Sequence, residues 1–263
     1  MNQTGRDAPG RRRRRFPAAP RPVHPRPMPG ELPERENFMA IDLLEKGAIL
    51  QRDKKTYAIA PHVPGGLITD FNLLRKIADV AEKYGARSVK LTSAGRFALL
   101  GVEEADLDRI WEELGLAPGA AIGLCVRSVK ICPGMEFCRI AMRDAVGVGL
   151  SLDEKYHGFP LPYKFKIGVS GCPNNCSESC IKDVGLVGMQ NGWRVLAGGF
   201  GTGLKPRLAE EVASGLDDEE ALALAERIID WFRGAGKTRR LGRLLDEIGL
   251  AKFKEEVGAP VKA

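Results

Sequence analysis

No stretch of this 263-residue chain approaches the roughly eighteen consecutive apolar residues of a membrane-spanning helix, so no span is expected. The arginine run Arg11 to Arg15, followed by Phe16, resembles the start of a twin-arginine export signal. The residues after it, PAAPRPVHPRP, lack an apolar h-region, so export is not expected either. No flavin or nicotinamide domain and no internal repeat are discernible. Acid is almost missing from the first 30 residues, where eight arginines face the single Asp7, a balance of +7. With a chain total of +6, the other residues sum to −1, and the pI near 9.0 describes the tail. That tail also holds seven of the 17 prolines and almost no periodic apolar residues, which predicts disorder over 1–37. Such an arm suits nucleic acid or an acidic partner, but a solvated extension is the favoured reading.

Four cysteines carry most of the chemistry. Cys132 and Cys138 lie in ICPGMEFC, and Cys172 and Cys176 in GCPNNC. These are a C-x5-C and a C-x3-C pair with 33 residues between them. Two short loops that each offer two thiolates can surround a compact metal centre. Tetrathiolate zinc competes, although its knuckles usually read C-x2-C or C-x4-C. Disulfides need an oxidising compartment, and scattered buried thiols rarely come as two Gly/Pro-bounded pairs. The spacing therefore favours an iron–sulfur cluster over zinc. Cys125 and Cys180 fall outside both pairs and read as small buried thiols. Thiolate ligands that must stay reduced suit a cytoplasmic location.

The 44% hydrophobic composition allows a sizeable core, in one large domain or two small ones. Residues 56–63 read as a strand closed by Pro64-Gly65-Gly66. Thr69 or Asp70 can cap a helix to Tyr84 with Leu73, Leu74, Ile77, Val80 and Ala81 on its buried face, ended by Gly85. Strands over 88–92 and 97–101 and a helix over 104–114 complete a βαββα unit with its helices on one sheet face. Beyond Ala121, strands over 123–129 and 163–169 lead into the two cysteine loops, and a helix over 138–146 starts at the second ligand. A short helical stretch after Cys176, a strand over 193–196 and a glycine loop over 198–203 follow. The last third reads as helical: 219–233 capped by Asp217 or Asp218, then 241–248 and 251–257. Leu222, Ala225, Ile228, Ile229 and Phe232 form the buried stripe of the first.

The segments VRSVKICPGMEFC, KFKIGVSGCPNNC and DVGLVGMQNGWRVLAGGFGTGLKPR closely resemble the sulfite and nitrite reductases. The resemblance covers about 45–257 and includes a weaker match at Pro64-Gly65-Gly66 and Leu91-Thr92-Ser93-Ala94-Gly95-Arg96. It implies an α+β fold in two parts. A ferredoxin-like half-domain over 38–118 precedes a sirohaem and [4Fe–4S] domain over 119–263 with a helical C-terminus. It also implies that Cys132, Cys138, Cys172 and Cys176 ligate the cluster, the Cys176 sulfur being shared with the haem iron.

Lys164 and Lys166, at i and i+2 of a strand, face the same way while Phe165 and Ile167 face a core. By composition they are ordinary exposed lysines. By resemblance they bind the substrate oxyanion and supply protons, with Arg127 as a further anion ligand. Arg96 is implied to reach towards the haem or its substrate face, and Arg207 to pair with the haem's peripheral carboxylates. The sequence departs from the family at His62, where an arginine often precedes the Pro-Gly-Gly turn. A histidine replaces that contact only when protonated, and a lone histidine is more often structural. The implied activity is six-electron reduction of sulfite to sulfide, with nitrite reduction to ammonia as runner-up. Electrons must come from a separate carrier such as a ferredoxin or a reductase subunit. A sirohaem electron-transfer protein without turnover, and a zinc module using its tail on nucleic acid, are the rivals. Neither a membrane nor nucleic acid is the expected partner, and a homodimer is left open.

Overall fold

The polypeptide from residue 41 to residue 260 is described by a computed structural model, so the expectation for the tail over 1–37 lies outside the described residues. The first half builds a four-stranded antiparallel sheet in the order β1 (Ile49–Leu50), β2 (Thr56–Ile59), β4 (Phe97–Glu103), β3 (Ser88–Leu91). Helices α1 (Asn72–Lys83) and α2 (Leu107–Leu114) pack onto it. Ile77, Val80 and Ala81 of α1 are buried against Ile110 and Leu114 of α2, as their helical spacing predicts. Leu74, expected on that face, is exposed, because the buried arc is narrower than five residues require. Gly85 ends α1 at φ +63°, a left-handed conformation that glycine adopts without strain.

The second half is a mixed five-stranded sheet. Strands β5 (Lys130–Ile131), β6 (Ile167–Ser170) and β7 (Val184–Met189) run parallel, and β8 (Gly192–Ala197) and β9 (Glu210–Leu216) continue antiparallel. Helices α4 (Ala145–Tyr156), α5 (Asp218–Gly234), α6 (Leu241–Ile248) and α7 (Leu250–Glu256) contribute to its core. A capping box between Asp217 and Glu220 starts α5, whose Leu224, Ile228 and Phe232 are fully buried. Truncating one of these to alanine would cost about 2–5 kcal/mol.

Three expectations fail here. The strand placed over 123–129 is irregular chain whose ladder pairing is reduced to the isolated Cys125–Pro160 and Val126–Phe165 bridges. The helix placed over 138–146 is absent: α3 (Gly134–Phe137) ends at Cys138, and α4 begins only after Asp144, whose side chain caps Val146 and Gly147. The C-terminal third is not wholly helical, since β9 precedes α5.

The described residues form one compact unit, and the first half presents its Pro-Gly-Gly turn to the second. A Cβ on Gly65 would lie 2.8 Å from Ile131 of β5, and one on Gly66 would lie 3.2 Å from the Gly95 Cα. The two short motifs of the first half therefore meet each other and the strand that delivers Cys132.

Candidate active site

Parallel strands β5 and β6 end side by side, so the chain leaving each enters its cysteine loop at the same edge of the sheet. The Cys132 amide donates to Val169 O at 3.1 Å, and its sulfur receives the Gly171 amide at 3.1 Å. Gly171 O accepts the amides of Met142 at 2.7 Å and Arg143 at 3.1 Å, which ties the chain beyond Cys138 to the residue before Cys172. A Cβ on Gly171 would lie 2.8 Å from Arg143 O, so a larger residue would force the loops apart. The four thiols are unbridged: Cys132 and Cys172 are buried, Cys138 is half-buried and Cys176 is exposed.

This donor set fits a cluster. Thiolates need hydrogen-bond donors, and Cys132 has one from the backbone. Cys176 is the one exposed member of the four. Among the described residues, no three His, Cys, Asp or Glu side chains close on a point that could hold one metal ion. Two loops that each offer two sulfurs can surround a [4Fe–4S] cage or a tetrathiolate zinc alike.

A cavity of about 270 Å³ lies where the two halves meet. Six basic residues line it, Arg96, Arg127, Lys130, Lys164, Lys166 and Lys182, with no carboxylate among the lining residues. Arg127 and the lysine segment come together because residues 125–127 pair with Phe165: Arg127 N donates to Phe165 O at 2.8 Å, and Phe165 N to Cys125 O at 3.0 Å. Phe165 and Ile167 are buried, Phe165 against the Phe232 ring at 5.2 Å, which leaves Lys164 and Lys166 on the opposite face, as the alternation predicts. The Lys166 amide is held by Asp183 at 2.8 Å. Asp183 is fully buried and bidentate with Arg240 at 2.9 and 2.7 Å.

Crowding of cations shapes the electrostatics. Burial, then repulsion from Arg240 and Lys182, holds the Lys166 ammonium below its ordinary pKa. Burial, then Arg127, lowers Arg96 to about 10. Burial also lowers Arg127, whose two Nη groups donate to Ala120 O at 2.6 Å and Gly123 O at 2.9 Å. A dianion entering this cavity would relieve repulsion the fold already tolerates. Lys130 and Lys182 both pair with Glu178, at 3.1 and 3.0 Å, two residues after Cys176, so the cavity wall is continuous with the second cysteine loop.

Of the residues singled out in the sequence, Arg96, Arg127, Lys164 and Lys166 share this cavity. Arg207 does not join them. Its guanidinium is held by Asp246 at 2.8 Å, by Glu210 and by the carbonyls of Gly198 and Leu208. His62 also lies outside the lining, 2.9 Å from Asp153. Cys125 and Cys180 are half-buried, not buried. Sequence reasoning missed Lys130, Ser128 and Lys182. The first two carry a signal, since Ser128, Lys130 and Cys132 alternate along one line of chain. Lys182 carries none, because the turn after Cys176 brings it back over Gly168.

Family models match in the same order as the two sheets. A nitrite/sulfite reductase ferredoxin-like half domain matches residues 49–117, and a nitrite and sulphite reductase 4Fe-4S domain matches residues 122–263. The assimilatory-type sulfite reductase of Nitratidesulfovibrio vulgaris is 40% identical over 213 residues, covering 81% of this chain and 97% of that protein. The NAD(P)H nitrite reductase of Bacillus subtilis is 38% identical over 82% of this chain, which spans only 26% of that protein. Among solved structures, dissimilatory sulfite reductase I aligns with a TM-score of 0.70 at 19% identity, over 78% of this chain and 70% of that one. The Mycobacterium tuberculosis NirA protein aligns at 0.68 and 22%, over 76% of this chain and 39% of that one. These two likenesses establish the fold.

Proposed function

Because the chain belongs to the nitrite and sulfite reductase family, we propose that it reduces sulfite to sulfide with six electrons drawn from a separate carrier. The observation that carries this reading is the cavity lined by six cations, of which Lys130 and Lys182 pair with Glu178 of the Cys176 loop and the other four face it with no carboxylate among the lining residues. Such a pocket suits a small dianion and disfavours cations and neutral substrates.

Cys132, Cys138, Cys172 and Cys176 would hold a [4Fe–4S] cluster beside a sirohaem, which together would relay the carrier's electrons and offer the substrate a metal site. The remaining work falls to the chain. Arg96 and Arg127 orient the oxyanion, because their guanidinium groups are anchored by protein oxygens and still face the cavity. Lys164 and Lys166 donate protons to the departing oxygens. Lys166 suits this best, because burial and neighbouring cations already weaken its hold on the proton. Three oxygens leaving as water require repeated reprotonation, and the half-buried position of both lysines gives them contact with solvent.

Among the described residues no helix is long and apolar enough to cross a membrane. We place the protein in the cytoplasm, where unbridged thiols stay reduced. Nitrite is the second reading, favoured by the resemblance to the Bacillus protein. Steady-state turnover with a chemically reduced dye, sulfite against nitrite, decides between them. A higher kcat/KM for sulfite supports the proposal, a higher value for nitrite replaces it, and no turnover of either by fully loaded protein identifies an electron carrier.

A further inference from the structure

His62 is fixed on three sides without reaching the cationic cavity. Its Nε2 lies 2.9 Å from Asp153 Oδ2. Asp153 is 1% exposed, and its other oxygen accepts the Val129 amide at 2.8 Å. One face of the imidazole stacks on His157 at a centroid distance of 3.5 Å and an angle of 13°. Its Nδ1 lies 3.4 Å from Ser128 Oγ. His62 borders a separate cavity with Pro64, Leu150, Glu154 and His157, whereas Ser128 lines the cationic one. The His62–Ser128 contact is thus the link between them.

Ser128 Oγ accepts the Arg96 Nε–H at 2.9 Å and lies 3.3 Å from Gly119 O. Among the described residues, the two Nη groups of Arg96 have no hydrogen-bond or ion-pair partner, so the fork at its end is available to the cavity. A hydroxyl has one proton and two lone pairs. With Nε2–H committed to Asp153, a neutral His62 accepts the Ser128 O–H on Nδ1 in place of Gly119 O, and a charged His62 donates Nδ1–H to Ser128, whose own O–H then goes to Gly119 O. Either arrangement leaves an Oγ lone pair aimed at Arg96. The buried Asp153 fixes the ring, the ring fixes the hydroxyl, and the hydroxyl fixes the guanidinium.

We propose that His62 is a positioning residue for Arg96, acting through Ser128 on the binding of the oxyanion. This rests on the reading of the cavity as the substrate site. It also gives the departure at this position a use: the imidazole orients a neighbouring arginine's fork and does not touch the anion itself.

The test is a double-mutant cycle on the holoenzyme. His62→Phe keeps the stack on His157 and removes both hydrogen bonds, and Arg96→Gln removes the fork. KM and kcat for sulfite are measured together with the dissociation constant from sulfite-induced absorption changes. His62→Phe is expected to raise KM and the dissociation constant together by about 3- to 30-fold, with kcat within about threefold. In the Arg96→Gln background it should add less than about twofold. Ser128→Ala cuts the same link and should reproduce the effect, including where His62→Phe loses cofactor. An undiminished His62→Phe effect in the Arg96→Gln background, or unchanged sulfite binding in both His62→Phe and Ser128→Ala, overturns the proposal. Unchanged binding in Arg96→Gln alone overturns instead the reading of the cavity on which the proposal rests.

Discussion

Replacing Lys166 by methionine should separate activity from stability in opposite directions. The side chain is half-buried, with like charges from Arg240, Lys182 and Lys164 nearby and only Asp183 opposing them. Methionine keeps the length and apolar bulk of the stem and removes the crowded charge. Stability should therefore stay constant or rise by up to about 1 kcal/mol, raising Tm by a few degrees at most. Turnover should fall. A unit charge 4 Å from an anion at an effective dielectric near 20 contributes about 4 kcal/mol before desolvation, and a lost charge-assisted contact in a closed site costs about 2–4 kcal/mol. That is roughly a 30- to 1000-fold loss in kcat/KM. The assay combines sulfite and nitrite turnover with the absorption spectrum and a melting curve. A Lys166→Met protein that turns over normally, or that loses cofactor and melts far below the parent, would refute the reasoning. The first result moves Lys166 out of the site, and the second makes it structural.

Further outcomes follow from the same geometry. Because Lys166 is held below the ordinary 10.5, its ammonium is lost at lower pH than a free lysine's, so the alkaline fall of kcat/KM should lie below 10.5 and move upward in Lys166→Arg. The unfolded chain binds the proton more tightly, so Lys166 makes stability rise with pH between its lowered pKa and 10.5, a slope that pH-dependent melting should find absent in Lys166→Met. Asp183→Ala leaves Arg240 buried without its carboxylate and the Lys166 amide without an acceptor, at a cost of about 3–5 kcal/mol. A melting curve should show Tm falling by about 6–20 °C, and a fall under about 3 °C would contradict a structural ion pair. Deleting residues 1–30, whose charge and proline content set them apart from a near-neutral remainder, should leave cofactor content and sulfite turnover within about twofold. A colourless or inactive truncation would contradict that.

Residue chemistry and local spacing were enough for the parts of this protein that depend on short range. The two cysteine pairs, the Lys164/Lys166 alternation around Phe165, the Pro-Gly-Gly turn, and the periodic helices α1, α5 and α6 are all written in windows of fewer than twenty residues. Their physics is complete within such a window: a period, a cap or a left-handed glycine. Segments whose state depends on a distant partner were illegible. Glu210–Leu216, with two acids, a serine and a glycine, is a strand only because β8 is there to pair with it. Ala145–Tyr156 contains two glycines, which weaken a helix, yet Asp144 caps it and the sheet buries its apolar face. The candidate site divides the same way. Lysine and arginine types were visible, but which of them reach the cavity was decided by the tertiary fold, since Lys130 and Lys182 line it although both pair with Glu178. Asp246 and Glu210 capture Arg207, while Arg96 and Lys166, held through a hydroxyl and a backbone amide, keep their charged ends for the anion.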